Sequence, residues 1–368
     1  MYSLVPGGAE RLVVDLTNEL ALNNDVKLFV FRDAITAKKS FYKSDINKKV
    51  NYVNLKIKEG FKPHLNWTFY KLLKREQPDI VHCHLNLICY FFLSSILLHK
   101  RIRFIYTIHT TAENEIVNKF EGSIRRFFFQ RNFILPVAVS NETKKSYEAY
   151  YKLQNAHIIY NGRDTVYKSA KYEEVVKEIN ALKPTSSTLV FCHVGRYCKQ
   201  KNHEMLVSVF NSLRKDNYDI ILLIIGFGLD TADELTTAAE KHIHFLGLKK
   251  NTEDYLYASD AFCLSSISEG MPITLLEALA CGCIPICTPV GGSIDLIKEG
   301  ETGFLSRTVS EEDYLDAVIR FINHGREIDK KKLVNYYDEN FTIEQCAREY
   351  MKLYTSNQTA NQEDDTKT

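Results

Sequence analysis

Two doubly wound α/β domains are the fold that this sequence predicts. Apolar, β-prone runs alternate with segments of helical length along the whole chain, a pattern typical of parallel sheets covered by helices. The chain has 368 residues, which exceeds the length served by one ordinary hydrophobic core, so two domains fit it better than one.

Each predicted strand is a run of four to six apolar, β-prone residues. The first half contains residues 26–31, 50–55, 80–83, 103–108, 134–139 and 157–160, and the second half contains 189–194, 220–225, 243–246, 261–265 and 284–288. Asn161-Gly162 marks a turn, and residues 183–187 have the composition of a linker. We therefore predict a first domain over residues 1–165 and a second over residues 166–341.

The last structured element is predicted to be a helix over residues 342–355. Thr342 to Gln345 has the pattern of a capping box, and apolar residues recur after it at helical spacing. Residues 356–368 are polar and lack periodicity, which predicts a disordered tail.

The composition is that of an ordinary globular protein. Hydrophobic residues make up 45% and charged residues 25%, which excludes collagen-like, wholly disordered and small disulfide-stapled classes. The longest apolar run, residues 85–98, has 14 residues, fewer than the ~20 that a membrane-spanning helix needs. The first six residues show no secretory signal, so we expect a cytoplasmic protein.

Nine cysteines are scattered along the chain, several inside strand-like runs, and this usage predicts reduced, buried thiols without disulfides. Cys281, Cys283 and Cys287 lack a fourth ligand at zinc-site spacing, so packing is the favoured interpretation. The net charge is +1, but residues 1–165 carry 25 Lys and Arg against 15 Asp and Glu. The near-neutral total charge argues against nucleic-acid binding. The basic first half fits an anionic lipid or a phosphorylated acceptor, or is ordinary variation in surface charge.

Residues that directly follow the strands are the candidates for ligand binding, because doubly wound sheets bind ligands at the carboxyl ends of their strands. Gly195-Arg196 and Lys201 follow the run at 189–194. Two cations beside a glycine suit a pyrophosphate. A solvated basic turn is the alternative.

Residues 268–282 give the sharpest signal in the sequence. Pro272 suits the first helical position and Gly282 the residue after the helix end. Glu269 then lies in a loop and Glu277 in the helix, whose first amides would face a bound phosphate. Such a set suits a nucleotide-sugar; a capped surface helix with two ordinary glutamates is the alternative.

Together these residues resemble the retaining nucleotide-sugar glycosyltransferases of family 4, also called group 1. The resemblance spans residues 6–355. The motifs that carry it are Glu269 and Glu277 with seven residues between them, Val194-Gly195-Arg196 with Lys201-Asn202, and residues 225–228, 288–292, 7–11, 79–84, 107–109, 139–140 and 159–162.

This resemblance implies the GT-B architecture, in which two Rossmann-like domains face each other across a cleft and the final helix crosses back onto the first domain. It implies that Arg196 and Lys201 hold the pyrophosphate, Glu277 the ribose and Glu269 the donor sugar. Gly8 would approach the phosphate from the opposite domain. The backbone around the helix start would bind the sugar and distal phosphate, namely Gly270, Met271, Pro272, Ile273 and Thr274.

The resemblance further implies transfer of a sugar from a UDP- or GDP-sugar with retention of configuration. The acceptor hydroxyl would give its proton to the departing diphosphate, whose developing charge the cations and helix amides would stabilise. No Asp-x-Asp occurs in the chain, so we expect no required divalent metal and no cofactor.

Three histidines lie near predicted strand ends. His109 follows the run at 103–108, and the resemblance places it near the reacting sugar; a hydrogen-bonded strand-end histidine is the alternative. For His82 and His84 a structural role is favoured over a metal site shared with His109, because no carboxylate or cysteine completes the set.

The acceptor is expected to be a glycan or a lipid-linked molecule in cell-surface polysaccharide or glycolipid assembly. Residues 124–131 and 100–103 interleave cations with aromatic and apolar side chains. This pattern suits a peripheral position on the inner face of an anionic membrane, or an ordinary helix with a basic outer face.

Only residues 1–6 precede the glycine loop, so the first strand is expected to be short or missing, with two unpaired strand edges. Two other functions stay open. One is a nucleotide-sugar 2-epimerase, and the other is an inactive partner subunit that binds a nucleotide-sugar.

Overall fold

The computed structural model describes residues 1–32, 41–57, 62–116 and 118–356. Within these ranges strands and helices alternate as predicted. The strands are β1 Lys27–Val30, β2 Asn51–Asn54, β3 Ile80–His84, β4 Arg103–Ile108, β5 Leu135–Ala138, β6 His157–Ile158, β7 Leu189–Val194, β8 Ile220–Ile225, β9 Ile243–Gly247, β10 Ala261–Leu264, β11 Ile284–Cys287 and β12 Phe304–Leu305.

The helices cover the sheets and connect successive strands. They are α1 Gly8–Leu20, α2 Leu65–Glu76, α3 Phe92–Leu98, α4 Ala112–Glu115, α5 Lys119–Gln130, α6 Asn141–Tyr151, α7 Tyr172–Leu182, α8 His203–Lys215, α9 Asp233–Ala238, α10 Thr252–Tyr257, α11 Ile273–Ala280, α12 Ser293–Leu296, α13 Glu311–His324, α14 Lys330–Asn340 and α15 Ile343–Thr355.

The second lobe, from α7 to α14, is built on a six-stranded parallel sheet in the order β12-β11-β10-β7-β8-β9. All six residues of β8 are buried, as expected for a parallel strand covered on both faces. The strand order reverses between β7 and β10, and such a switch point opens a crevice at the carboxyl ends of the strands.

The first lobe, from residue 1 to β6, contains a four-stranded parallel sheet, β3-β4-β5-β6, and the parallel pair β1-β2. Residues 1–4 extend beside β1: the amides of Phe31 and Arg32 donate to the carbonyls of Met1 and Tyr2 at 3.0 and 3.2 Å. Leu4 is buried in the same core as β1. The first strand was expected to be short or missing, with two unpaired strand edges; the edge at β1 is instead paired with this short segment.

The final helix, α15, crosses back onto the first lobe, as predicted. The capping box is present: the Gln345 amide donates to Thr342 Oγ1, and the Gln345 side chain accepts from the Thr342 amide. The Tyr350 hydroxyl lies 2.8 Å from Thr107 Oγ1 in β4. Arg103 in β4 donates to the carbonyls of Leu353 and Tyr354 at the end of the helix.

The predicted strands are confirmed to within about two residues at each end. Among the strands of the described ranges, the two-residue β12 is the one that the sequence reasoning missed. The division between residues 165 and 166 stays a prediction, and of the predicted tail all but Ser356 lies outside the described residues.

All nine cysteines lie in the described ranges and are free thiols, as predicted. Seven are buried, and Cys89 and Cys198 are partly exposed. Burial raises the pKa of buried thiols such as Cys192 and Cys263. Among the described helices, none combines the length and apolar character needed to cross a bilayer.

Candidate active site

The two lobes enclose a cleft of about 520 Å³. It lies at the sheet edge where β4, β7 and β10 end, as the switch point requires. All the residues predicted for the site line it: Gly8, His109, Gly195, Arg196, Lys201, Glu269, Gly270, Met271, Pro272, Ile273, Thr274 and Glu277. The fold thus brings these residues together, while their individual roles stay predictions.

The amino terminus of α11 lines the cleft. Pro272 has φ −67° and ψ 121° and caps the helix, so its predicted place as first helical residue is wrong by one position. Its φ suits a helix, but its extended ψ leaves Ile273 as the first helical residue. Gly282 has φ +65° just after the helix end, as predicted. The first amides of α11 lack intrahelical partners by geometry and are suited to bind an anion.

The loop after β7 is hydrogen-bonded to the loop after β10. Lys201 Nζ lies 2.7 Å from Glu269 Oε1, and Gln200 Nε2 donates to the Ser268 carbonyl at 2.5 Å. The ammonium predicted for the pyrophosphate and the carboxylate predicted for the sugar therefore form an ion pair. A bound diphosphate would share the lysine with this carboxylate.

Arg196 is exposed and lines the cleft beside this pair. Arg196 interacts electrostatically with Glu10 in α1 across the cleft. Burial raises the pKa of Glu10, and the positive charge of Arg196 lowers it. Gly195 fits a crowded strand end, because a Cβ added to it would lie 2.7 Å from His193 Nε2.

Two glycines allow the lobes to approach closely. A Cβ added to Gly8 would lie 3.4 Å from Ile273 Cγ1, so the start of α1 lies against the start of α11. A Cβ added to Gly270 would lie 2.6 Å from the His109 carbonyl carbon. The first contact would be tolerable and the second would not.

His109 lines the cleft and contacts a second histidine behind it. Its Nε2 lies 3.0 Å from Nδ1 of His84, and its amide donates to Glu115 Oε1 at 2.7 Å. Burial lowers the pKa of His109 to about 4, so the ring is neutral at physiological pH.

His82 contacts the crossing helix rather than the cleft. Its ring nitrogens lie 2.7 Å from the Tyr354 hydroxyl and 2.7 Å from Thr107 Oγ1. Burial lowers the pKa of His82 to about 3. In the ranges described, no three His, Cys, Asp or Glu side chains converge as a metal site.

The sequence reasoning missed Arg163, which also lines the cleft. Its Nε donates to Glu277 Oε1 at 2.7 Å, and its two other nitrogens bind Asp15 and Glu253. Burial disfavours its charge, but these carboxylates raise the pKa of Arg163 above its ordinary value. Burial also raises the pKa of Glu277, against the influence of Arg163.

Two cations of the predicted basic surface have internal partners. Arg125 is fully buried and lies 2.6 Å from Glu121 and 3.7 Å from Glu115, and Arg103 binds the end of α15. Arg126 is exposed, and Phe128 is buried in the lobe. Residues 124–131 were predicted to suit an anionic membrane or to form a helix with a basic outer face. Arg125 belongs to neither surface, because acidic neighbours neutralise it inside the lobe.

Two facing lobes of parallel α/β structure, a final helix that returns to the first lobe, and a cleft with cations beside a helix amino terminus define the GT-B class of glycosyltransferases. Two family models match the chain: Glycosyltransferase Family 4 over residues 6–167 and Glycosyl transferases group 1 over residues 176–340. Together the two models cover both lobes. The chain therefore belongs to the family 4, or group 1, glycosyltransferases, and the predicted family and GT-B fold are confirmed.

Known relatives agree with this assignment. An uncharacterised glycosyltransferase of Methanocaldococcus jannaschii is 26% identical, with 95% of this chain and 94% of the relative covered. The N-acetylgalactosamine-N,N'-diacetylbacillosaminyl-diphospho-undecaprenol 4-alpha-N-acetylgalactosaminyltransferase of Campylobacter jejuni is 27% identical, with 84% and 86% covered. Anabaena HepE, solved with UDP-glucose, superposes with a TM-score of 0.78 at 16% identity, covering 97% and 98% of the chains.

Proposed function

We propose that this protein is a retaining glycosyltransferase that moves a sugar from a nucleotide-sugar donor to a hydroxyl of a glycan or lipid-linked acceptor. The observation that carries the proposal is the cleft itself: Arg196, the Lys201–Glu269 pair and the amino terminus of α11 all line one cavity. Cations and helix amides at one place suit a diphosphate, and a nearby carboxylate suits sugar hydroxyls.

In the proposed reaction the bond between the anomeric carbon and the diphosphate oxygen breaks. A new bond forms from the acceptor oxygen on the same face of the sugar, and the acceptor's proton passes to the departing diphosphate. Arg196, Lys201 and the first amides of α11 would stabilise the charge that develops on the leaving group. The neutral ring of His109 would position the reacting sugar from the first lobe.

The proposed donor is a UDP- or GDP-sugar, and UDP is the first probe to test because HepE, of the same fold, was solved with UDP-glucose. The name of the Campylobacter jejuni relative specifies a diphospho-undecaprenol acceptor. This relative supports a lipid-linked acceptor and a role in cell-surface polysaccharide or glycolipid biosynthesis.

A thermal-shift screen against nucleoside diphosphates and nucleotide-sugars tests the donor site first. A ligand at a hundred times its dissociation constant stabilises the fold by ~2.7 kcal/mol. Glu269→Ala and Arg196→Ala are expected to reduce this shift. Arg348→Ala, at an exposed position on α15, is the matched control and should leave it unchanged. Equal shifts in all three variants would show that the site is misplaced.

Turnover separates the proposal from its alternatives. Release of nucleoside diphosphate that depends on an added acceptor, with the donor's anomeric configuration in the product, is the expected result. An epimerised sugar formed without an acceptor would indicate a 2-epimerase, and nucleotide-sugar binding without turnover an inactive partner subunit. Inverted configuration in the product would refute retention.

We also propose that no divalent metal is required, because the chain has no Asp-x-Asp. Turnover is expected to persist in excess chelator. Loss of activity in chelator with recovery on adding magnesium or manganese would overturn this part of the proposal.

The acceptor end of the proposal includes a peripheral position on an anionic membrane. Phe127 is 45% exposed, and the guanidinium of Arg131 lies over its ring at 5.7 Å, while Arg126 is exposed nearby. Aromatic and basic side chains together suit a lipid surface. The wild type should co-sediment with anionic vesicles at low salt, whereas the double variant Arg126→Glu/Arg131→Glu should remain in the supernatant. Absence of wild-type binding would refute the membrane position.

A further inference from the structure

A cluster of charged side chains lies beside the cleft, where the chain passes between the lobes. It combines two guanidinium groups with four carboxylates. Its members are Arg11, Asp15, Asp45, Arg163, Glu253 and Glu277.

Arg163 is the centre of this cluster, because its three nitrogens bind three different carboxylates. Nη1 lies 3.0 Å from Asp15 in α1 of the first lobe. Nη2 lies 2.9 Å from Glu253 in α10, and Nε lies 2.7 Å from Glu277 in α11. One planar side chain therefore joins both lobes, and its fixed fork of donors cannot follow one partner without turning away from another.

The backbone of Arg163 joins the two passages of the chain between the lobes. Its amide donates to the Phe341 carbonyl at 3.0 Å, and its carbonyl accepts from the Ile343 amide at 3.0 Å. The neighbouring Gly162 permits this approach, because a Cβ there would lie 2.5 Å from the Thr342 carbonyl oxygen. The guanidinium is thus held where the two passages of the chain between the lobes meet.

We propose that Arg163 is a positioning residue for donor binding, which fixes the carboxylate of Glu277 and, through Asp15, makes that position depend on closure of the two lobes. The inference rests on the proposed function, in which Glu277 receives the ribose hydroxyls. With Oε1 of Glu277 held by Arg163, Oε2 is the oxygen that would accept from the ribose. Opening of the lobes would withdraw Asp15 and release the guanidinium to turn.

A purely structural ion pair is the competing explanation, and buried pairs of that kind are poor evidence for stability in themselves. The two explanations differ in what Asp15 should do. Asp15 is 1% exposed and is not among the residues that line the cleft, so it does not touch a ribose bound at Glu277. Under our proposal its removal changes nucleotide affinity through Arg163 and Glu277. Under the structural explanation it changes only the stability of the fold.

The test compares Asp15→Asn with Asp254→Asn, the loss of an equally buried carboxylate, 1% exposed, that binds Ser169 and Asn251 in the second lobe and does not line the cleft. The probe is UDP, or GDP if only GDP stabilises the wild type, measured by titration calorimetry with melting temperatures alongside. Asp15→Asn is expected to weaken affinity by ~10-fold, the scale of one hydrogen bond to a charged group. Asp254→Asn is expected to weaken it by less than ~3-fold, within the usual scatter of such comparisons.

A double-mutant cycle then asks whether Asp15 acts through Glu277. In a Glu277→Gln background the effect of Asp15→Asn on affinity should disappear, because the carboxylate that Arg163 orients is gone. Once a donor is identified, its KM should rise in Asp15→Asn while kcat at saturating donor stays within ~2-fold, the signature of lost ground-state binding.

Three results would overturn the inference. One is unchanged affinity in a folded Asp15→Asn chain, and another is the same loss in both backgrounds of the cycle. If Asp15→Asn does not fold, Arg163→Lys takes its place, because lysine keeps the positive charge but lacks the planar set of donors. The third result is unchanged nucleotide affinity in Arg163→Lys. No binding of UDP or GDP by the wild type would instead refute the proposed function, and this inference with it.

Discussion

A methyl group added at Gly270 would test whether activity depends on the close contact between the lobes. The Cβ of Gly270→Ala would lie 2.6 Å from the carbonyl carbon of His109 and 3.1 Å from Val139 Cγ2, whereas ordinary contacts begin at 3.4 Å. The loop after β10 and the segment after β4 would have to separate by roughly 1 Å, a misplacement that can cost ~100-fold in rate. We expect a fall of that order in kcat/KM.

The assay is release of nucleoside diphosphate at fixed donor and acceptor, with the melting temperature measured in parallel. Gly300→Ala is the control, since its added Cβ would meet no atom within 4 Å. Its φ of +71° gives the control a stability cost of its own, on the order of 1 kcal/mol. If Gly270→Ala kept a third or more of the wild-type kcat/KM, the view that this contact is needed for catalysis would be refuted.

Three further predictions concern binding, pH and the crossing helix. Lys201→Met should weaken nucleoside diphosphate affinity by ~10- to 100-fold in calorimetry, while Lys199→Met, exposed on the same turn, should not. Burial lowers the pKa of His203 from 6.5 to about 4, so the free energy of unfolding decreases as the pH falls between these two values. His203→Phe should reduce the slope of this decrease by up to ~1.4 kcal/mol per pH unit. An unchanged slope in pH-dependent melting would contradict this. Arg103→Gln should speed hydrogen exchange in the last turn of α15, which Arg103 binds, whereas Arg101→Gln, exposed and bonded to Gln77, should leave that turn protected.

The elements that local chemistry dictates were predictable from the sequence. Buried parallel strands such as β8 are unbroken apolar runs, so their positions follow from composition. The start of α15 follows from its capping box. The position of the cleft follows in turn from the rule that doubly wound sheets bind ligands at their strand ends, and Arg196 and Glu269 both line it.

Features that depend on distant partners were not predictable. The carboxylates that bind Arg163 lie 148, 114 and 90 positions away along the chain, and nothing local distinguishes this arginine from one in a solvated turn. Arg125 was grouped with a basic surface because cations and aromatic residues interleave along residues 124–131, yet Glu115 and Glu121 allow its burial. The strand β12 has only two residues and pairs with β11, too short a run to show a period.

The uneven exposure of the thiols makes the native chain convenient for labelling. Cys198 is partly exposed in the loop that carries Arg196 and Lys201, and seven of the other eight cysteines are buried. Burial raises the pKa of Cys89, the remaining partly exposed thiol, to about 11, which suppresses its thiolate. A maleimide fluorophore is therefore expected to attach at Cys198 without any engineered substitution, and its emission would report ligand arrival at this loop in real time.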